Sequence, residues 1–89
     1  MIVMTHQIRA ARSLLGWEQF ELAVQAGVAI STIRRLEGMK GPIAANFETI
    51  AKIRRAFEKA GIEFIGAPNP GVMLKAVGRG TELDANRPQ

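Results

Sequence analysis

The 89-residue chain contains no cysteine, no tyrosine and a single histidine, His6. Without cysteine there is no disulfide framework, no thiolate zinc site and no sulfur nucleophile, and the redox compartment is left unmarked. One histidine cannot build a multi-histidine metal cage or a histidine-rich catalytic centre. No metal or other cofactor is therefore expected. Long apolar runs are missing too: no stretch of about 18 apolar residues exists, so nothing reads as a membrane span. The opening residues Met1 to His6 lack the basic flank and longer apolar core of a signal peptide, which makes a cytoplasmic address the default expectation. The length allows one compact domain and excludes a two-domain enzyme.

What is present suits a small folded domain. Apolar residues make up 47% of the chain and charged residues 22%, a balance that argues against wholesale disorder. The net charge is +4, from 12 basic and 8 acidic residues. Its distribution is uneven. Positions 1–41 hold five basic and three acidic residues, positions 42–61 four and two, and positions 62–89 three of each. The excess in the first two thirds points to a polyanionic partner, as a basic stripe does.

Glycines punctuate the chain and divide it into short elements. Thr5 is a candidate N-cap for a first helix over 5–15, with Ile8, Ala11 and Leu15 as its apolar stripe and Arg9 and Arg12 off it. His6 reads as a surface residue in its first turn. Glu18 to Ala26 reads as a second helix with Leu22, Ala23 and Ala26 on one face, stopped by Gly27. Ala29 to Glu37 reads as a third, with Ile33 and Leu36 inward and Ile30, Ser31, Arg34 and Arg35 outward. Asn46 caps a fourth helix over 47–60, whose stripe is Phe47, Ile50, Ile53, Phe57 and Ala60. Trp17 reads as a core or boundary residue.

After Gly61 the period shortens, and 62–65 and 72–77 read as strands joined by Gly66-Ala67-Pro68-Asn69-Pro70-Gly71. Pro followed by Gly suits a type II turn there. A lone two-stranded hairpin is marginal in water, so it must lean on the helices or pair with another copy. The chain thus divides into a helical domain over 1–61, a hairpin over 62–77 and a polar, mobile tail over 78–89.

The window from Gln19 to Glu37 carries the functional signal. Two short helices are joined by a glycine-containing turn, Ala23 sits where they touch, and Ile33 and Leu36 pin the second to the body. This is the sequence form of a helix-turn-helix, whose second helix can enter a major groove about 12 Å wide. The spacing of Gln19, Leu22-Ala23, Gly27-Val28, Ser31-Thr32-Ile33 and Glu37 resembles the Cro/repressor-type (XRE) helix-turn-helix family over roughly residues 6–60. That resemblance implies a mainly α fold: a compact four- to five-helix bundle of the lambda-repressor-like type, here followed by a β-hairpin. It implies double-stranded DNA as partner, a homodimer, and a role in transcriptional regulation, most readily repression. It places Ala29, Ile30, Ser31 and Arg35 at base edges, and Gln19, Thr32 and Lys40 at phosphates. Gln19 would also support the reading helix.

The chain departs from the family pattern. Glu18 and Ala29 stand where the family often has Ser or Thr, so both helix starts lack a good cap. Ile30 replaces a polar groove-facing residue and can only rest on a thymine methyl, which shifts direct readout to Arg34 and Arg35. Outside the motif these two arginines would read as a solvated face paired with Glu37 or Glu58. Lys52, Arg54, Arg55 and Lys59 read as solubilising charges. The hairpin residues Ile62, Phe64, Val72 and Leu74 need cover and make a candidate dimer interface, since an open edge invites another strand. Two other functions compete: an antitoxin gripping a toxin through its C-terminal part, and a protein-interaction adaptor that uses the helices without DNA. No Walker, dinucleotide or zinc-hydrolase pattern occurs, and no pair of glutamates has a pocket to work in, so an enzyme is not expected.

Overall fold

A computed structural model describes residues 5–40 and 44–75. Four helices are followed by two strands: α1 (Thr5–Leu15), α2 (Gln19–Ala26), α3 (Ile30–Glu37), α4 (Phe47–Lys59), β1 (Ile62–Ile65) and β2 (Gly71–Leu74). The fold is mainly helical, with one small antiparallel sheet. Among the described residues no helix is long and apolar enough to cross a membrane.

The 3–4 spacing of apolar residues builds one core from all four helices and β1. Ile8 and Ala11 enter from α1, Leu22 and Ala23 from α2, and Ile33 and Leu36 from α3. Ile53, Ala56 and Phe57 come from α4, Ile62 and Phe64 from β1. Phe57 organises the centre: Trp17 stacks on it at 5.6 Å and Phe64 meets it edge-on at 5.7 Å. Such ring pairs add about 0.5–1.5 kcal/mol beyond the area they bury. Trp17 is half-buried, a boundary residue that closes the core.

Gly27 separates the two helices of the motif at φ +70°, and its N–H reaches the carbonyls of Ala23 and Val24. A left-handed residue at this place satisfies the open carbonyls at the end of α2 and turns the chain toward α3. α2 begins after Glu18 and α3 after Ala29, neither with a side-chain cap. Asn46 does cap α4, accepting from the Thr49 N–H at 2.7 Å.

Several expectations need correction. Thr5 is already helical, and its hydroxyl donates to the Met39 carbonyl at 3.0 Å instead of capping α1. Phe47 is 84% exposed. It sits at the first position of α4, beyond the reach of the stripe that Ile50, Ile53 and Phe57 continue. Arg12 is not on the wet side of α1, since its side chain is only 19% exposed. Gly71 does not take the positive φ a type II turn requires; it opens β2, opposite Ile65. β2 ends at Leu74. The expected strand residues Ala76 and Val77, and the tail over 78–89, lie outside the described residues.

The sheet leans on the helices, β1 against α4 and β2 against α1. Its register pairs Ile62 with Leu74, Glu63 with Met73, Phe64 with Val72 and Ile65 with Gly71. Gln7 of α1 locks the hairpin down: its Nε2 donates to the carbonyls of Ile65 and Gly71, both at 2.9 Å.

Candidate nucleic-acid interface

The α2–turn–α3 unit is clamped to the body from beneath. Ile33 and Leu36, three residues apart on α3, are fully buried. Between them they fix which side of the eight-residue helix faces the core. Glu37, at the end of α3, supplies a polar clamp. Its carboxylate is 4% exposed and receives Arg12 through two bonds, Nε to Oε2 at 2.7 Å and Nη2 to Oε1 at 2.8 Å. Arg12 also donates from Nη1 to the Trp17 carbonyl at 2.9 Å. Gln19, the first residue of α2, donates from Nε2 to Glu37 Oε1 at 3.0 Å.

Three elements therefore meet on one carboxylate: α1 through Arg12, α2 through Gln19, and α3 through Glu37 itself. The Arg12 guanidinium is held above its ordinary pKa, first by its hydrogen bonds to Glu37. Burial opposes that rise, and the charges of Glu37 and Glu18 add to it. Fork-to-fork pairing of this kind is directional as well as attractive, so it sets the orientation of α3 against α1.

On the opposite side α3 is open. Ala29, Ser31, Arg34 and Arg35 are exposed, as is Lys40 beyond the helix. Neither guanidinium forms an ion pair or hydrogen bond with any described residue. Thr32 is half-buried. Ile30 is also half-buried and packs partly against the core, so less of its side chain reaches outward than the sequence implies. Glu37 and Glu58 are not partners of Arg34 and Arg35: Glu37 is committed to Arg12 and Gln19, and Glu58 lies 3.8 Å from Arg54.

The structure brings Ala29, Ser31, Arg34 and Arg35 together on one helix and its N-cap, with Gln19 on the side of the motif where α3 ends. Lys52 and Arg54 of α4 are half-buried, whereas Arg55 and Lys59 are exposed. The candidate interface residues on the hairpin separate into two groups. Ile62 and Phe64 are 1% and 7% exposed inside this chain's own core, which withdraws them from any interface. Val72 is half-buried and Leu74 is exposed.

Sequence reasoning missed Arg12 and Glu37 as a pair. The available signal was the spacing of Thr5, Ile8 and Arg12, three and four residues apart on the inward side of α1. Among the described residues no cluster of three His, Asp or Glu side chains could hold a metal ion. No family model matches the chain, and no curated protein sequence matches it. The functional reading therefore stands on the motif spacing and on this geometry.

Proposed function

We propose that the chain is a sequence-specific DNA-binding regulator of the Cro/repressor type that lays α3 in the major groove. The observation that carries this reading is the two-sidedness of α3. Ile33, Leu36 and Glu37 hold one side rigidly, while Arg34 and Arg35 stand exposed and unpaired among the described residues on the other. Rigid presentation matters because arginine reads guanine O6 and N7 through a planar fork, worth about 1–3 kcal/mol of discrimination when well aligned. Ser31 and Ala29 would flank that contact, and Ile30 would offer only its outer atoms to a thymine methyl. Thr32 and Lys40 would take phosphates. Gln19 would do so with the amide hydrogen not given to Glu37, linking a phosphate to the carboxylate that orients α3. The four helices in this order are compatible with the lambda-repressor-like arrangement.

The test is selection of bound duplexes from a random oligonucleotide pool, followed by binding of the winner at several salt concentrations. A defined site, with affinity falling steeply with salt, is the expected outcome. No enrichment of any sequence, with no retention on heparin, overturns the reading.

A second reading is favoured by Phe20 and Val24, exposed one turn apart on the outer side of α2. An apolar pair in that position suits a protein partner, as an adaptor or an antitoxin would need. Capture of a partner that survives high salt and is lost in Phe20→Ser supports it.

A further inference from the structure

We infer that this chain distinguishes 5-methylcytosine from cytosine through Ile30, so that methylation of its DNA site regulates binding. The inference rests on the DNA-binding reading above and deepens it.

The first ground is chemical. The chain enters α3 through Ala29 and Ile30, whose side chains carry neither a donor nor an acceptor. In the major groove thymine shows a carbonyl and a C5 methyl, whereas cytosine shows an amino donor. A 5-methylcytosine shows that amino donor together with the methyl of thymine. An apolar side chain hydrogen-bonds to neither polar group. The methyl is therefore the feature of the base edge to which it responds. Opposite an unmethylated cytosine the place of the methyl is empty, and the side chain loses the atoms it would touch.

The second ground is how Ile30 is held. It is half-buried, with part of its side chain packed against the core, while Ala29 beside it is exposed. Isoleucine in a helix has one strongly preferred χ1 rotamer. Core contact on one side and a stiff χ1 keep the outer atoms in one place. The side chain cannot swing out to fill the gap left by a missing methyl. A long, fully exposed side chain would close that gap and blur the difference between the two bases. Half-burial thus sharpens the response even as it reduces the surface offered.

The third ground is the neighbour. Residues four apart on a helix lie side by side, with Cβ atoms about 5–6 Å apart. Arg34 stands four residues after Ile30, and its exposed guanidinium has no partner among the described residues. Successive base pairs are about 3.4 Å apart along the duplex, a mismatch that the long arginine stem absorbs. With α3 in the groove, one row of the helix would supply a methyl contact and, on an adjoining base pair, the fork that reads guanine. The element recognised is a 5-methylpyrimidine beside a guanine. Thymine provides it outright. A cytosine beside a guanine provides it only when methylated.

The test uses the duplex selected from the random pool. Each thymine is replaced in turn by uracil, which lacks the methyl, and each thymine–adenine pair by cytosine–guanine or 5-methylcytosine–guanine. At one position per bound copy, uracil should weaken binding about fourfold, the equilibrium equivalent of one methyl group withdrawn from water. At that same position 5-methylcytosine should bind about fourfold tighter than cytosine. Ile30→Ala should erase both differences, and Ile30→Val should keep them. The changes made in the DNA leave the protein untouched, so they decide the matter even if a variant at Ile30 is destabilised. Uracil binding as thymine does at every position, with cytosine and 5-methylcytosine alike, overturns the inference. So do methyl preferences that persist in a folded Ile30→Ala chain. Either result leaves the DNA-binding reading standing, whereas a pool that yields no site overturns both.

Discussion

Arg12 and Glu37, 25 residues apart in sequence, form a two-bond ion pair in which the carboxylate is better buried than the guanidinium. The asymmetry predicts unequal costs of breaking it. Arg12→Met leaves a buried carboxylate with the Gln19 amide as its remaining described side-chain partner, whereas Glu37→Gln leaves an arginine that can still reach water. Removing one partner of a fully buried pair costs about 3–5 kcal/mol. Arg12→Met should approach the lower end of that range and Glu37→Gln should fall below it, read as denaturant midpoints. Equal losses would show that solvent reaches both groups alike.

The same pair has a pH signature. A raised guanidinium pKa in the folded chain means that the stabilising charge is fully present below the unfolded value and is lost only as pH climbs through the folded one. Both lie above the physiological range. The stability gap between wild type and Arg12→Met should therefore stay level from about pH 7 to pH 10 on the arginine's account. A gap that shrinks steadily over that interval contradicts the assignment.

Asn46 and Phe47 are neighbours with opposite expectations. Asn46 holds the Thr49 N–H at the start of α4, and Asn46→Ala should cost about 1 kcal/mol. Phe47 is exposed and outside the core, so Phe47→Ala should change stability by less than about 0.5 kcal/mol. Thermal unfolding of the two variants checks both.

Gly27 isolates a backbone effect. A Cβ added there meets nothing within 4 Å, yet φ is +70°. Gly27→Ala should therefore lose about 1–2 kcal/mol through conformational strain alone, with no packing change to repair it. Calorimetry of the variant against wild type measures the loss, and a neutral result would show that the turn can re-form with φ negative.

Arg34 and Arg35 separate function from stability. Both are exposed, so Arg34→Ala and Arg35→Ala should leave the unfolding midpoint within about 0.5 kcal/mol of wild type. Under the DNA-binding reading each should relax preference at a base position. Lys40→Ala should instead weaken all duplexes alike and reduce the salt slope by about 1. Binding titrations on the selected site and on single-base variants distinguish the two patterns.

Local sequence was enough to place the four helices within a residue or two and both strands of the hairpin. Apolar spacing of three and four repeats within each helix, the glycines stand at the breaks, and these signals act over a few residues. It also marked Ile33 and Leu36 as the inward side of α3, and so Arg34 and Arg35 as the outward side, because that assignment needs only helical periodicity. What tertiary structure alone decided was the fate of the polar residues and of the hairpin. Arg12 and Arg34 are the same residue type near the same helical period, yet one is half-buried in a network and the other is open. The difference arises from Glu37, which stands 25 positions along the chain and which α3 carries back to α1. In the same way Ile62 and Phe64 were bound to need cover. Whether α4 or another chain supplied it depended on how the sheet packs, since burial is a property of what comes near and not of the strand itself.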